Sequence, residues 1–167
     1  MSKLNFTLLI LLSIFVYSCS DDDYGSNNNS GSNDSTLSYD IDQVNGSAVS
    51  GKAEFKELED GDIELTISLD NIVEDADHPA HIHYNSVSDG GDIQVDLNNV
   101  DGSSAKSVTV FNKDIEGNSL SFSDISNLDA HINVHLNPND LEVIAQGNIG
   151  SNASSSSNDD GYGGGGY

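Results

Sequence analysis

Apolar and polar residues alternate along most of the stretch 37–150. Between Ile63 and Leu69 every second residue is aliphatic, and the residues between them are polar. This period of two is typical of a β-strand that has one face on a core and the other in water. The same alternation, or a short apolar run, predicts further strands at 37–44, 49–55, 80–84, 93–97, 105–112, 130–136 and 143–149.

Turn-forming pairs such as Asn45-Gly46 separate these segments. Short strands that recur about every ten residues predict an all-β fold, an antiparallel β-sandwich or barrel of about seven or eight strands. Two brief helical turns are also expected. One is predicted at 123–128, and the other after Asn137-Pro138, because Asn at the cap and Pro at the first position suit a helix start.

All but one of the five histidines lie within two of the predicted strands. Successive side chains of a strand point to opposite faces, so His81 and His83 share the face turned away from the apolar residues of strand 80–84. By the same rule His131, Asn133 and His135 share the polar face of strand 130–136. If the two strands are neighbours, these imidazoles and the amide converge.

A His-x-His pair on a strand offers two ring nitrogens on one face, and zinc or copper binds neutral imidazole at about 2.0–2.1 Å. His78, before Pro79 in a predicted loop, is a further candidate ligand. Asp77 and Asp129 each lie beside histidines and are candidates to accept the second ring N–H. Three interpretations stay open: a copper or zinc site, a structural cluster of hydrogen-bonded histidines, and unrelated surface residues.

The N-terminus has the pattern of an export signal. Lys3 precedes an apolar run over 8–16, which is shorter than the about 20 residues that span a bilayer. Residues 16–19, VYSC, resemble a bacterial lipobox, which implies a signal peptide over 1–18 and lipidation, such as palmitate, at Cys19, the only cysteine of the chain. An ordinary secretory signal is the alternative. Residues 20–23, SDDD, resemble the acidic tag of Bacteroidetes-type lipoproteins, which implies an outer-membrane lipoprotein facing the cell exterior.

Two low-complexity segments flank the β-domain. Residues 19–36 and 151–167 are rich in Ser, Asn, Gly and Asp, and such segments have too little to bury to form a core. We therefore predict a disordered N-terminal tether, lipidated at its start, and a disordered C-terminal tail around a domain at 37–150. A domain of about 114 residues buries roughly two thirds of its unfolded surface, so it needs no metal to fold.

Charge excludes one class of partner. The chain has a formal net charge of −23, with five basic residues, all of them lysines. Such a chain repels the phosphate backbone of nucleic acids and attracts cations. Nucleophilic catalysis is not favoured either, because no serine lies in a Gly-x-Ser-x-Gly turn and the single cysteine is assigned to lipidation.

The two histidine segments together resemble the CHRD domain family, which is common in bacterial exported proteins. The segments are HPAHIHYNSVSDGGDIQVDL from residue 78 and LDAHINVHLNPNDLEVIAQGNIG from residue 128. The resemblance covers about 40–150 and implies an antiparallel β-sandwich or barrel without a settled activity. Residues that match the family pattern are His81, His83, Asn133, Val134, His135, Gly147 and Ile149.

A His-x-His strand followed by a later histidine is also similar to copper/zinc superoxide dismutase, a β-barrel in which such residues hold copper. Here the corresponding trio is His81, His83 and His135. The chain departs from that family because it has no arginine, no cysteine pair and no His-rich loop between the two segments, and its charge repels anionic superoxide.

The residues therefore favour a binding or interaction module over an enzyme. We predict a lipid-anchored, surface-exposed CHRD-like domain of the cell envelope, with an Ig-like or superoxide dismutase-like fold. Its expected partners are the membrane, through Cys19, and a metal cation, while a protein or glycan partner is left open. A superoxide dismutase-like redox enzyme and a purely structural envelope protein are the alternatives.

Overall fold

The computed structural model describes residues 35–153. The predicted signal peptide, Cys19, nearly all of the predicted tether and the tail from residue 154 lie outside the described residues. Within the described part, ten strands and one short helix form. The strands are β1 (Thr36–Gln43), β2 (Ser50–Glu57), β3 (Ile63–Asp70), β4 (Asp77–His78), β5 (Ala80–Tyr84), β6 (Ile93–Asp96), β7 (Val100–Asp101), β8 (Lys106–Phe111), β9 (Asp129–Asn137) and β10 (Asp140–Gly150), and the helix is α1 (Phe122–Ile125).

The strands form one curled antiparallel sheet in the order β4-β7-β8-β3-β2-β1-β10-β9-β5-β6. Strand β1 joins the two halves of the sheet, because its first part pairs with β2 and its end, at Asp42 and Gln43, pairs with β10. The predicted all-β antiparallel fold is thus confirmed. The eight longer strands overlap the eight predicted segments. Strands β4 and β7 were not predicted, because two residues are too few to show an alternation of period two.

The alternating aliphatic residues line the concave face of the sheet. In the first half Leu65 of β3 pairs with Phe55 of β2, and both are fully buried. In the second half Ile82 of β5 pairs with Ile132 of β9, and both are fully buried as well. Because side chains alternate along a strand, the residues on either side of Ile82 and Ile132 point to the opposite face.

One of the two predicted helical turns is present. The turn predicted at 123–128 is confirmed as α1. The prediction of a helical turn after Asn137-Pro138 is wrong, because a tight hairpin joins β9 to β10 there. The Asn137 side-chain oxygen accepts hydrogen bonds from the backbone N–H groups of Asn139 (2.9 Å) and Asp140 (3.0 Å). Asparagine and proline also favour turns of this kind, and the strand pairing on both sides selects the turn over the helix.

The first residues of the predicted tail are bound to the domain. The Ser151 backbone N–H donates to the Leu128 carbonyl oxygen at 2.8 Å, and the Asn152 side-chain amide donates to the Asp129 carboxylate at 2.6 Å. Ser151 and Asn152 are thus each hydrogen-bonded to the start of β9 or to the residue before it. Across the described stretch, no helix has the length and apolar character needed to cross a membrane.

Candidate metal centre

The histidines lie on the convex face of β5 and β9, as the strand phase predicted. His81 is paired across the two strands with Asn133, and His83 is paired with His131. His135 lies two residues further along β9 on the same face. The buried pair Ile82 and Ile132 between them fixes this register, because a slip by one residue would turn the histidines into the core.

Three of the five histidines converge. One ring nitrogen from each of His81, His83 and His135 lies within 4.8 Å of the other two. The ring centroid of His81 is 5.7 Å from that of His83 and 5.2 Å from that of His135. These spacings allow three imidazoles to reach one small ion without a change of strand register.

Backbone carbonyls select the tautomer of two of these rings. His83 Nδ1 lies 3.0 Å from the Gly91 carbonyl oxygen, and His135 Nδ1 lies 2.9 Å from the Leu141 carbonyl oxygen. A carbonyl oxygen only accepts hydrogen bonds, so Nδ1 carries the proton in each neutral ring and Nε2 keeps its lone pair. His83 and His135 can therefore each offer Nε2 to a metal.

His81 offers its other nitrogen. His81 Nδ1 is buried and has no hydrogen-bond partner, and the same is true of His83 Nε2. His81 Nε2 lies 3.9 Å from an Asp96 carboxylate oxygen on β6, so the acidic group is on the side where Nε2 would carry its proton. With the proton on Nε2, Nδ1 keeps its lone pair, and it is this nitrogen that is buried without a partner.

The environment keeps His81 neutral. Burial lowers its pKa below the ordinary value of 6.5, and the nearby His135 and His83 lower the pKa further, while Asp96 opposes them. Metals bind the neutral ring, so a lowered pKa keeps His81 available as a ligand at lower pH than an exposed histidine.

His131 and His78 are not brought into this cluster. His131 stacks on His83 with ring centroids 5.2 Å apart, but its Nδ1 donates to the Asn85 carbonyl oxygen at 2.8 Å and its Nε2 faces the Asn133 amide nitrogen at 3.4 Å. Burial lowers the pKa of His131. Both of its nitrogens are thus occupied by protein groups.

His78 is fully buried between two carbonyls. Its Nδ1 lies 3.1 Å from the His135 carbonyl oxygen, and its Nε2 lies 3.2 Å from the Val73 carbonyl oxygen. The ring bridges β9 to the segment before β4, and neither nitrogen is turned toward the three-histidine cluster.

The groups that orient the rings differ from those expected. Asp77 is exposed on β4, and Asp129 accepts a hydrogen bond from Asn152, so neither orients a histidine ring. Backbone carbonyls of Gly91, in the loop between β5 and β6, and of Leu141, in β10, do so instead. The only signal for this in the sequence is Gly91, because a Cβ there would overlap the Tyr84 carbonyl oxygen. Only glycine lets the loop lie this close to β5.

Part of the face that the sequence pattern assigned to solvent is buried. His131 and His135 are 3% and 8% exposed. The loop at 85–92 is also tied to β10, where the Asn148 side chain accepts a hydrogen bond from the Val87 backbone N–H at 2.8 Å. The cluster is therefore partly buried, and one ring nitrogen of each of its three histidines lies within 4.8 Å of the other two.

Comparison with known proteins supports the fold. No family model matches the chain, and no curated protein matches it. The chain is similar to the crystal structure of a SOD-like protein from Bacillus subtilis, with 19% identity, a TM-score of 0.50 and coverage of 67% of this chain and 97% of that chain. A double mutant of that protein gives 17% identity, a TM-score of 0.50 and coverage of 68% and 96%. Superoxide dismutase 5 of Candida albicans, in its Cu(II) form, gives 15% identity, a TM-score of 0.48 and coverage of 70% of this chain and 92% of that chain.

The domain accordingly has a SOD-like antiparallel β fold, and at these identities the likeness extends to the fold alone. The cluster of His81, His83 and His135 is compatible with metal binding.

Proposed function

We propose that the domain binds a transition metal, Cu²⁺ or Zn²⁺, through His81 Nδ1, His83 Nε2 and His135 Nε2. The observation that carries this proposal is that one ring nitrogen of each residue lies within 4.8 Å of the other two. In addition, His81 Nδ1 and His83 Nε2 are buried without a hydrogen-bond partner. A buried polar atom without a partner costs about 1–3 kcal/mol. A bound metal ion would give both nitrogens a partner at once.

The ligand chemistry also supports this proposal. Three neutral imidazoles are a common donor set for zinc and copper in proteins. Two of the rings are oriented by backbone carbonyls, which is the way that outer contacts usually fix metal-ligating histidines. The alternative of a hydrogen-bonded histidine cluster has less support, because His81 Nδ1 and His83 Nε2 bond to no other group in the described part of the chain.

We place this module on the outside of the cell envelope, as a CHRD-like domain anchored by a lipid on Cys19. The lipobox-like VYSC and the acidic SDDD that follows it support the anchor and its outward orientation. The net charge of −23 suits a surface that collects cations and discourages nucleic acid. In this setting the domain acts as a cation-binding or interaction module, not as an enzyme.

A superoxide dismutase-like redox enzyme is the second candidate. The SOD-like fold of the Bacillus subtilis protein favours it, together with the arrangement of His81, His83 and His135. The absence of arginine and the strong negative charge oppose it, because superoxide is an anion.

Metal titration of the purified protein tests the proposal and separates these candidates. The parent should bind about one Cu²⁺ or Zn²⁺ per chain against a competing chelator, and the double change His81→Ala with His83→Ala should abolish this binding while the protein stays folded by circular dichroism. The copper-loaded parent should show no dismutase activity in the presence of a chelator that removes free Cu²⁺. If the parent retains no metal at pH 7.5, the metal site is wrong, and a high dismutase rate would instead support the redox enzyme.

A further inference from the structure

The amide of Asn133 lies in the middle of a row of polar side chains that crosses five neighbouring strands. Register pairs Asn133 with His81 of β5 on one side and with Gln146 of β10 on the other. Asp96 of β6 is paired with His81, and Asp42 of β1 is paired with Gln146, which completes the row. Asn133 is therefore the side chain directly opposite one of the three clustered histidines.

His131 fixes which end of the Asn133 amide faces the cluster. The Asn85 carbonyl oxygen, 2.8 Å from His131 Nδ1, requires the proton on that nitrogen. His131 Nε2 is then an acceptor, and it lies 3.4 Å from Asn133 Nδ2. A flipped amide would place two acceptors against each other. The amide nitrogen is thus turned to His131, and the amide oxygen points away from that ring.

The Asn133 oxygen has no partner in this position. Asn133 Oδ1 is buried and accepts no hydrogen bond, and it belongs to the same small set of buried unpartnered atoms as His81 Nδ1 and His83 Nε2. The other two members of that set are on β6 and β8, at Gln94 and Ser107. Three of the five orphaned buried atoms of the described region therefore belong to residues of β5 and β9 that neighbour one another on one face.

We propose that Asn133 Oδ1 is a fourth donor of the metal site, so that the site consists of three imidazole nitrogens and one amide oxygen. This inference rests on the proposed metal binding by the three histidines. Four protein donors would suit the tetrahedral coordination that zinc adopts in closed sites. An amide oxygen is a hard donor, so it favours Zn²⁺, Co²⁺ and Cu²⁺ over the softer Cu⁺.

The test uses the full chain in detergent with the background change Cys19→Ala, so that no thiol competes for metal. Asn133→Leu removes the oxygen and keeps a side chain of similar size. The matched control is Gln146→Leu, which removes an amide from the neighbouring position of the same row. Affinity for Zn²⁺ and Cu⁺ is measured against competing chelators, and the visible absorption spectrum of bound Co²⁺ reports its ligands.

If Asn133 Oδ1 is a ligand, Asn133→Leu should weaken Zn²⁺ binding by at least about tenfold, since even residues that only orient a ligand cost 10–100-fold. The Co²⁺ spectrum should change, and Cu⁺ affinity should fall less than Zn²⁺ affinity. Gln146→Leu should leave all three readouts unchanged. Asn133→Asp keeps an oxygen at the same place and adds a negative charge, so it should bind Zn²⁺ more tightly than the parent.

The outcomes separate this inference from the function on which it rests. If the parent binds no metal, both are wrong. If the parent binds Zn²⁺ and Asn133→Leu gives the same affinity and the same Co²⁺ spectrum, the three-histidine site stands and Asn133 is not a ligand. Should Asn133→Leu fail to fold, Asn133→Asp decides alone, because an unchanged Zn²⁺ affinity in that variant contradicts ligation by the oxygen.

Discussion

The stacked pair of His83 and His131 provides a matched test of the metal site. Both rings lie on the same face of neighbouring strands, and both donate Nδ1–H to a carbonyl of the loop at 85–92. They differ at Nε2, which is buried without a partner in His83 and faces the Asn133 amide in His131. We therefore expect His83→Gln to remove a ligand and His131→Gln to leave the three ligands in place.

The expected size of the stabilisation by Zn²⁺ follows from the thermodynamic linkage between metal binding and folding. At a free Zn²⁺ concentration of about 100 times Kd, one site stabilises the folded state by about 2.7 kcal/mol and raises the Tm of a domain this size by about 10 °C. If His83→Gln raises Kd about 100-fold, the gain at the same concentration falls to about 0.4 kcal/mol and the Tm shift to about 1–2 °C. His131→Gln should affect Zn²⁺ affinity only indirectly, through the loss of the His131 contact with the Asn133 amide. A Kd rise of up to about tenfold would preserve a shift of at least about 5 °C.

The assay is thermal unfolding with and without Zn²⁺ at about 0.15 M salt, where weak cation binding by exposed carboxylates is screened. Each variant is compared with its own metal-free form, so that the loss of a hydrogen bond to the loop cancels. If His83→Gln keeps the full rise in Tm with Zn²⁺, His83 is not a ligand. If both variants lose that rise equally, the distinction between His83 as a ligand and His131 as a non-ligand is refuted.

Two further predictions concern pH and the anchor. Because Zn²⁺ binds neutral imidazole, a chelator competition across pH should show binding weaken as the pH falls and the ligand rings take up protons. His81 should be protonated only below its ordinary pKa of 6.5, since burial and its two histidine neighbours lower that pKa. The metal-free domain should lose stability as the pH drops below about 6.5, because the unfolded chain takes up a proton that the folded state resists, and His81→Gln should reduce this slope in urea unfolding. Cys19→Ala should abolish fatty-acid labelling and membrane partitioning, and a variant that still labels contradicts the lipobox interpretation.

The strand phase was readable from the sequence because a period of two depends only on local chemistry. Alternation around Ile82 and Ile132 placed the histidines of both strands on one face, and the pairing of β5 with β9 then brought them together. The pattern could not tell which histidines converge. That selection depends on where loop carbonyls fall, and such contacts join residues far apart in sequence, such as His131 with Asn85.

The same limit explains the errors at Asp77, Asp129 and Pro138. Proximity in sequence suggested that the two carboxylates orient the rings. Asp77 is adjacent to His78 on β4, and adjacent residues of a strand point to opposite faces. Asp129 shares a face with His131, but its carboxylate is bonded to Asn152. The His131 Nδ1 instead donates to the Asn85 carbonyl oxygen. At Pro138 the local residues suit either a helix start or a turn, and the pairing of β9 with β10 decides between them.

The hydrophobic core and the proposed metal site use alternate residues of the same two strands, β5 and β9. This division explains how buried ring nitrogens without hydrogen-bond partners can be kept in a metal-free domain. The fully buried pair Ile82 and Ile132 fixes the register from the concave side, so metal is not needed to hold the strands. On the convex side the backbone carbonyls of Gly91 and Leu141 already orient His83 and His135. The unpaired ring nitrogens are therefore a cost that the hydrophobic core offsets in the metal-free state. Since two of the three proposed ligand rings are already oriented, binding would require only the side-chain shifts that bring the ring nitrogens, which lie within 4.8 Å of one another, to about 2.0–2.1 Å from one ion. Less of the binding free energy would then be spent on ordering the ligands.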